Sequence, residues 1–231
     1  IRLHAVAGVE TETKTRIYAG GINTTRQQML RVDRGARAAL PSRVRKGLAR
    51  AVRDAAKDVD AVLVSDYGAG VVSEEVRDVL RGLAGEGLPI CVDSRYQLRE
   101  FAGFSLCKPN EPELQQLTGR TIRDEDELIR AGREAQRALG CRTLVVTRGR
   151  SGMAVFDGDR VELVPVHGAA EAVDVTGAGD TVIAALTLAL AAGANVVEAA
   201  RMANVAGALV VQKQGTATVA QDELVRELDG A

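Results

Sequence analysis

An acidic side chain lies inside a glycine-rich segment that has the features of an anion-binding site. This D-V-T-G-A-G-D-T segment, residues 174–181, leads directly into an apolar run at residues 182–192. Glycines at the start of a helix let the backbone approach a ligand, and the free N–H groups and positive dipole end there favour phosphate. A carboxylate would repel phosphate, so Asp180 needs a reason to be there, and taking a proton from an attacking hydroxyl group is one. The alternative is that Asp174 and Asp180 only cap the helix.

Length, charge and cysteine content narrow the class of protein. A chain of 231 residues can bury one substantial core, so we expect a single domain over residues 1–231. The 30 basic and 31 acidic side chains are nearly balanced, which argues against nucleic acid or a membrane as a partner. Cys91, Cys107 and Cys141 have no C-x-x-C spacing and predict free thiols in a reducing cytoplasm. The longest apolar run is too short to span a bilayer.

The order of β-like and helical segments predicts an α/β fold. Two β-like segments, at residues 13–18 and 27–32 with Gly20 and Gly21 between them, predict a β hairpin or lid over residues 12–33. From residue 42 onward, short apolar runs alternate with segments of helical periodicity. This alternation predicts a doubly wound, mostly parallel sheet flanked by helices, with ligands bound outside the carboxyl ends of the strands.

The segment at residues 174–180 resembles the D-T-x-G-A-G-D signature of ribokinase-like (PfkB-type) sugar kinases, with Val175 in place of the first threonine. Residues 13–16, 23–33 and 213–219 also resemble the kinase domain of bacterial heptose 7-phosphate kinases of this family. The resemblance implies a ribokinase-like fold and ATP-dependent phosphorylation of a sugar or sugar-phosphate hydroxyl group. The implied acceptor is heptose 7-phosphate, which would become heptose 1,7-bisphosphate in the synthesis of lipopolysaccharide precursors.

The same resemblance implies roles for particular residues. Asp180 is the implied catalytic base, and the N–H groups of Gly177, Ala178 and Gly179 are the implied anion hole. Asn110 and Glu113 match the N-x-x-E motif that holds Mg²⁺ through water, whereas their spacing alone indicates a helix start. The implied nucleotide-binding residues are Asn110, Thr147, Gly149, Gly152 and Asn204. By itself, the T-x-G-x-x-G turn is also an ordinary strand-to-hairpin turn, and Asn204 could equally be a buried helix–helix hydrogen bonder.

Substrate-binding residues are implied at the ends of two predicted strands. Asp66 and Tyr67 belong to a stretch that resembles S-D-Y-x-K-G of heptose-phosphate kinases, but Ala69 replaces the lysine. Arg95 or Lys108 could supply the missing positive charge, and Arg95 offers a forked donor suited to phosphate. Asp66 could instead only form the turn at the strand end, and Arg95 could be a solvated loop residue.

Asp174 and Thr176 match part of a monovalent-cation site in the family, so K⁺ is a candidate alongside ATP and Mg²⁺. The chain begins at Ile1 rather than Met, and we expect that sequence precedes it, including a G-G-x-x-x-N stretch that holds the sugar in the family. On that basis we expect ATP binding, weak sugar phosphorylation by the chain alone, and association or a homodimer through an open sheet edge.

Alternatives stay open at this point. Within the same class, the substrate could be another sugar phosphate or a nucleoside. From other classes, the chain could be a non-catalytic nucleotide-binding relative, as Ala69 favours, or a dinucleotide-dependent oxidoreductase. The last of these rests only on Gly68 and Gly70, and Ser73 stands where the third glycine of that fingerprint belongs.

Overall fold

A computed structural model describes residues 6–7, 9–20, 27–35, 40–168 and 172–230. The strands are β1 (Thr13–Ala19), β2 (Gln27–Arg34), β3 (Val62–Asp66), β4 (Ile90–Ser94), β5 (Leu106–Cys107), β6 (Thr143–Thr147), β7 (Met153–Asp157) and β8 (Arg160–Val164). The helices are α1 (Ser42–Ala55), α2 (Glu74–Gly85), α3 (Glu111–Thr118), α4 (Glu125–Leu139), α5 (Ala178–Ala191), α6 (Val196–Val210) and α7 (Gln221–Asp229). Short 3₁₀ turns lie at Ala56–Asp58, Leu98–Phe101 and Gly149–Ser151.

Six strands form one mixed sheet in the order β3-β4-β5-β6-β7-β8. Strands β3 to β6 are parallel, and β7 and β8 are added antiparallel. The parallel strands are linked by helical crossovers, which is the arrangement that alternating strand and helix segments predict. In the described part of the chain β3 is the outermost strand on its side, so its outer edge has no partner strand there.

Helices cover both faces of the sheet because successive strand residues point to opposite sides. In β6, Leu144 and Val146 join the buried cluster that includes side chains of α1, α2, α3 and α4. Val145, between them, joins the cluster formed with α5 and α6. All three are fully buried, and burying a side chain of this size contributes about 1.5–3 kcal/mol. The doubly wound α/β arrangement predicted from the sequence is confirmed.

A close approach between α4 and β7 depends on a glycine. A Cβ atom on Gly132 would lie 2.0 Å from Cζ of Phe156, which is a fully buried ring of the sheet. Such a contact is far inside van der Waals distance, so any larger residue would push the helix away from the sheet. Because Phe156 pairs with Leu144, this packing helps to fix α4 against the sheet near the amino end of β6.

The first two strands form a separate antiparallel hairpin, as predicted for residues 12–33. Ile17 pairs with Leu30, and the register shifts between Ile17 and Tyr18. The predicted turn residue Gly21 and the family-like residues 23–26 lie outside the described residues. The hairpin belongs to a different sheet from β3, and its side chains reach the cleft described below.

The structure also bears on the sequence-based expectations about disulfides and membrane-spanning segments. The three cysteines are buried and free, in agreement with the predicted absence of disulfides. Nowhere in the described ranges is there a helix with the length and apolar character needed to cross a bilayer. That the whole chain forms one domain stays a prediction.

Candidate active site

A large cleft of about 2210 Å³ lies at the carboxyl ends of β3 to β6 and at the start of α5. Typical small-molecule pockets have volumes of roughly 300–1,000 Å³, so this cleft has room for two substrates. The fold brings nearly all the predicted site residues to it, although they are far apart in sequence. Those that line it are Asp66, Tyr67, Arg95, Asn110, Glu113, Thr147, Gly149, Gly152, Thr176, Gly177, Ala178, Gly179, Asp180 and Asn204. Asp174 lies behind this lining and acts on the loop itself.

The carboxylate of Asp180 is held by the hydroxyl group of a tyrosine. Tyr67 Oη lies 2.9 Å from Oδ1 and 2.7 Å from Oδ2 of Asp180, and Ser65 Oγ lies 3.4 Å from Oδ1. Partial burial, followed by the hydrogen bond and charge of Asp180, raises the pKa of Tyr67 to about 12. The phenol is therefore neutral and a hydrogen-bond donor at physiological pH. The acid at the helix start thus contacts a hydroxyl group.

The backbone at the start of α5 has the geometry of an anion site. Gly177 adopts φ +80°, a left-handed conformation that favours glycine, and it precedes the first helical residue, Ala178. The Ala178 N–H makes a long 3.3 Å hydrogen bond to the Val175 carbonyl. The N–H groups of Gly179 and Asp180 have no acceptor among the described residues, so they point free donors at the cleft.

A buried ion pair lies beside Gly179. Lys108 Nζ is 2.8 Å from Asp93 Oδ2, and the Lys108 side chain is only 4% exposed. Burial raises the pKa of Asp93, and the nearby Asp180 adds to this, while Lys108 opposes it. From the sequence, Lys108 was only one possible source of positive charge, and Asp93 was placed at a strand end without a role in the site. The signal that could have found Asp93 is its place at the carboxyl end of a buried strand, two residues before Arg95.

Asn110 and Glu113 form a complete capping box at the start of α3. Asn110 Oδ1 accepts the Glu113 N–H at 2.8 Å, and Glu113 Oε2 accepts the Asn110 N–H at 2.9 Å. Both the helix-start interpretation and a ligand role are compatible with this geometry, because Glu113 Oε1 and the Asn110 amide NH₂ stay available. Burial is the largest influence on Glu113 and raises its pKa.

The hydrogen bonds of these two side chains limit how they could bind Mg²⁺. Mg²⁺ takes oxygen ligands, and one oxygen of Glu113 is available to hold its waters. The Asn110 oxygen is already used by the helix cap, so its free NH₂ suits a phosphate oxygen better than a metal. No group of three or more His, Cys, Asp or Glu side chains that could hold a metal occurs within the described ranges, so a dedicated protein cage is absent there. The fit is to an ion that keeps most of its waters.

The predicted nucleotide-binding turn closes on itself at the end of β6. The Arg148 N–H donates to the Gly152 carbonyl at 2.8 Å, and Arg148 also pairs with Glu111 at 3.3 Å. Gly152 adopts φ +76°, and a Cβ atom there would lie 2.1 Å from the Val164 carbonyl oxygen. Gly152 is therefore needed by the hairpin packing as well as by any ligand. Gly149 has φ +55° and an open side toward the cleft.

Asn204 and Asp66 each have a structural partner. Asn204 is buried in α6 and donates through Nδ2 to the Pro165 carbonyl at 2.6 Å. Asp66 is buried at the end of β3, where Ser94 Oγ donates to it at 2.8 Å and the Gly68 N–H donates at 3.0 Å. The Asp66 contact with Gly68 matches the turn-forming alternative, whereas Asn204 bonds a loop carbonyl and not a second helix as that alternative proposed. The two ligand roles stay predictions, with the residues in place at the cleft.

Arg95 is the exposed cation of the β4 end. Its guanidinium lies 5.7 Å from the centre of the Tyr96 ring, and its backbone N–H donates to the Asp66 carbonyl at 3.1 Å. The site therefore combines a buried ammonium group, on Lys108, with an accessible guanidinium. Ala69 also lines the cleft, and its methyl group brings no charge to the position of the family lysine.

The predicted monovalent-cation residues tie two loops together. Asp174 Oδ1 accepts the Thr176 N–H at 2.9 Å, and its Oδ2 accepts the Gly215 N–H at 3.1 Å. Tyr18 of the hairpin contributes a long hydrogen bond of 3.5 Å to the same oxygen. The hydrogen bonds with Thr176, then the one with Gly215, lower the pKa of Asp174. The negative charge of an ionised carboxylate in this loop would favour the binding of a monovalent cation.

Comparisons with known proteins agree with this arrangement. The profile described as pfkB family carbohydrate kinase matches residues 5–223. A protein named Bifunctional protein HldE from a Nitratiruptor species is 37% identical over 181 residues, which are 78% of this chain and 37% of the relative. The protein of the same name from Gluconobacter oxydans is 36% identical over 220 residues, 94% of this chain and 45% of the relative. The chain thus spans less than half the length of these relatives.

Solved structures share the fold. Ribokinase from Giardia lamblia superposes with a TM-score of 0.75 at 17% identity, over 98% of this chain and 74% of that chain. Arabidopsis thaliana ribokinase complexed with ribose and ATP gives 0.72 at 22% identity, over 94% and 69%. Escherichia coli phosphofructokinase-2 in complex with potassium gives 0.71 at 24% identity, over 87% and 66%. The expected ribokinase-like fold is confirmed.

These comparisons decide between the classes considered from the sequence. Gly68 and Gly70 form a turn that ends before the N-cap of α2 at Ser73, and the relatives and structures named above are carbohydrate kinases or HldE proteins rather than oxidoreductases. The family profile extends over almost the whole sequence rather than over one motif. The chain therefore belongs to the pfkB family of carbohydrate kinases.

Proposed function

We propose that this chain transfers the γ-phosphoryl group of ATP to a hydroxyl group of a sugar phosphate, with Asp180 as the catalytic base. The observation that supports this most directly is the placement of the Asp180 carboxylate at the start of α5, with a hydroxyl group already bound to both of its oxygens. A general base must lie within about 2.6–3.2 Å of the oxygen that carries the proton it removes, and the Tyr67 phenol oxygen lies within this range of the Asp180 carboxylate. An acceptor hydroxyl group at the same place would be ready for deprotonation.

The free backbone donors would stabilise the charge that develops on the phosphoryl group. The N–H groups of Gly179 and Asp180 have no acceptor in the described part of the chain, and they lie where the helix dipole adds to their effect. Little covalent chemistry is required in phosphoryl transfer, so positioning and electrostatics account for most of the rate. Gly177 gives the chain the turn that exposes these donors.

Lys108 is our candidate for the cation that replaces the family lysine missing at Ala69. Its ammonium group faces the cleft beside Gly179, and its pairing with Asp93 compensates for the loss of water around it. Arg95 is more accessible and suits the second phosphate, that of the acceptor. The two cations would then serve different phosphates.

ATP is proposed to extend from the start of α5 along the turn after β6 toward α6. Thr147, Gly149 and Gly152 would lie along its phosphates, and Asn204 would lie near its base. Bound Mg²⁺ would neutralise charge on the phosphate oxygens, and Glu113 would hold its waters. Asp174 and Thr176 are proposed to hold K⁺ beside the loop, as an ionised side chain and an ordered turn permit.

We propose heptose 7-phosphate as the acceptor and heptose 1,7-bisphosphate as the product. The proposal rests on the resemblance of residues 13–16, 23–33 and 213–219 to heptose 7-phosphate kinases and on the relatives named Bifunctional protein HldE. Basic side chains on the inner face of the hairpin, Lys14, Arg16 and Arg31, line the acceptor side of the cleft and suit a phosphorylated sugar. The reaction would take place in the cytoplasm, where ATP is available and buried thiols stay reduced.

A non-catalytic nucleotide-binding relative is the second candidate, because Ala69 removes a charge from the phosphate region. The experiment that separates the two is a phosphorylation assay over heptose 7-phosphate, other hexose phosphates and nucleosides, with Asp180→Asn as the comparison. We expect turnover with heptose 7-phosphate and a decrease in kcat of about 10²–10⁴-fold in Asp180→Asn, with ATP affinity kept. ATP binding without turnover on any acceptor would support the second candidate. Equal turnover in both proteins would remove Asp180 from the mechanism.

A further inference from the structure

The contact between Tyr67 and Asp180 occupies the base before any acceptor arrives. The single hydroxyl hydrogen of Tyr67 is shared between two carboxylate oxygens at 2.9 Å and 2.7 Å, and Ser65 is the next nearest donor at 3.4 Å. The phenol therefore lies where the hydroxyl group of a nucleophile would have to lie. A kinase with an open base faces a side reaction, because water is the most abundant hydroxyl compound in the cleft.

Tyr67 is well placed to exclude water but not a sugar. Its backbone follows the buried, hydrogen-bonded Asp66, and Lys14 Nζ of the hairpin lies 5.5 Å from the centre of its ring. A single water molecule that replaced the phenol would break the phenol's bond to a charged group, and water is too small to bring the many contacts of a larger acceptor. A sugar phosphate brings many additional contacts, and their binding energy can offset the loss of that bond.

We propose that Tyr67 is a positioning residue that keeps water away from Asp180 until an acceptor hydroxyl group displaces its phenol, and that it thereby suppresses ATP hydrolysis. The inference rests on the proposed role of Asp180 as the base. It concerns the choice between two nucleophiles, sugar and water, at one carboxylate. The raised pKa of Tyr67, at about 12, supports the proposal because the phenol keeps its proton and so cannot itself compete as a base.

The suppressed reaction is ordinary hydrolysis. The oxygen of water would form a bond to the γ-phosphorus, and the bond from that phosphorus to the β–γ bridging oxygen would break. The electron pair of the broken bond leaves with ADP, and a proton of the water passes to the Asp180 carboxylate. The products are ADP and inorganic phosphate, and no further reactant is needed.

Tyr67→Phe tests the proposal because it removes the hydroxyl group and keeps the ring under Lys14. The measurement is release of phosphate from ATP with magnesium and no acceptor. We expect the rate to rise about 10–100-fold over the parent chain, which corresponds to the loss of a hydrogen bond to a charged group. Tyr96→Phe is the matched control, since it removes a phenol that does not line the cleft, and it should leave the rate at the parent value.

The double variant Tyr67→Phe/Asp180→Asn separates this inference from the proposed base. Loss of the added hydrolysis in the double variant supports both ideas. Added hydrolysis that persists without the Asp180 carboxylate would contradict the base assignment. An unchanged rate in Tyr67→Phe, with ATP affinity kept by calorimetry, would overturn the role of Tyr67, even if phosphorylation of the sugar decreased. Should Tyr67→Phe fail to fold, the same rise in ATP hydrolysis is expected of Tyr67→Leu, and an unchanged rate in that variant would likewise overturn the role of Tyr67.

Discussion

Lys108 and Asp93 form an ion pair directly against the first turn of α5. Their charged atoms are 2.8 Å apart, and a Cβ atom on Gly179 would lie 3.7 Å from the Lys108 ammonium and 3.9 Å from the Asp93 carboxylate. Removing both groups from water has a cost that only good geometry offsets. Because the pair lies beside the proposed anion site, we expect Lys108 to contact phosphate as well as to contribute to folding.

Substitutions of Lys108 and of Asp93 should have different effects, one mainly on ATP binding and the other mainly on the stability of the fold. Lys108→Met keeps the length of the side chain and loses its charge, so we expect weaker ATP binding and a lower kcat with the fold retained. Asp93→Asn leaves a buried, less well-paired ammonium group, and we expect a loss of unfolding free energy of about 3 kcal/mol, the lower end for a broken buried pair. Calorimetry with ATP and denaturant unfolding measure the two effects.

The double variant Lys108→Met/Asp93→Asn is the control for this pair. If the two groups interact as the geometry indicates, it should lose less stability than the sum of the single variants. Additive losses would mean that the contact contributes nothing to the folded state. Unchanged ATP affinity in Lys108→Met would leave Arg95 as the phosphate cation.

Substitution by alanine should affect stability at Gly177 and ligand binding at Gly179. Gly177 has φ +80°, so Gly177→Ala strains the turn and should lower the unfolding free energy by about 1 kcal/mol or more. Gly179 lies inside the helix and is not among the positive-φ glycines, so an alanine there should not strain the backbone.

At Gly179 the effect should therefore be on the ligand. A methyl group there meets only ordinary contacts with Lys108 and Asp93, so Gly179→Ala should keep its melting temperature while ATP binds less tightly. The larger Gly179→Val should decrease both affinity and turnover. Melting curves and ATP titrations of the same samples test this, and a Gly179→Ala protein with full ATP affinity would make the glycine a purely structural feature.

Glu113→Gln should keep the helix cap and lose the charge. The glutamine oxygen can still accept the Asn110 N–H, as capping boxes with glutamine do. We expect the magnesium concentration for half-maximal rate to rise, because a charged oxygen near the ion is lost. Glu113→Ala removes the cap as well and should also melt earlier. An unaltered magnesium dependence in Glu113→Gln would leave Glu113 with the cap alone.

The same variant has a defined pH dependence of stability. Burial raises the pKa of Glu113, so the folded state binds its proton more tightly than the unfolded state does. Its contribution to stability therefore falls as pH rises from the ordinary pKa through the raised one. Glu113→Gln should melt at a higher temperature than the parent at neutral pH, and the difference should disappear below about pH 4. Melting curves at the two pH values check the sign.

Asp174→Asn should loosen the link between the loops on either side of the site. One of its two backbone hydrogen bonds, to Thr176 or Gly215, must be lost because an amide has a single acceptor oxygen. We expect a loss of about 1–2 kcal/mol in unfolding free energy and weaker activation by potassium over sodium at equal ionic strength. Assays in the two salts test the ion, and identical rates in both salts for the parent chain would contradict the K⁺ site.

Many of the site residues could be named from the sequence because the family signature is local. Residues 174–180 contain the acid, the glycines and the helix start in one segment, and the capping box of Asn110 and Glu113 lies within four positions. The alternation of strands and helices likewise predicted the order of the layers, since side-chain periodicity follows from local backbone geometry. The register shift in the hairpin has no such local signal.

Contacts between side chains from distant segments could not be predicted from the sequence. Asp93 and Lys108 lie at the carboxyl ends of β4 and β5, and they meet because parallel strands bring those ends to one edge of the sheet. Tyr67 and Asp180 are 113 positions apart, and they meet because the start of α5 lies over the carboxyl end of β3. The acids, glycines and cations available for the chemistry can be recognised from the sequence alone. Packing of the two helix layers on the sheet decided that the base binds a phenol and that the cation is buried, because distances between remote segments depend on the fold as a whole.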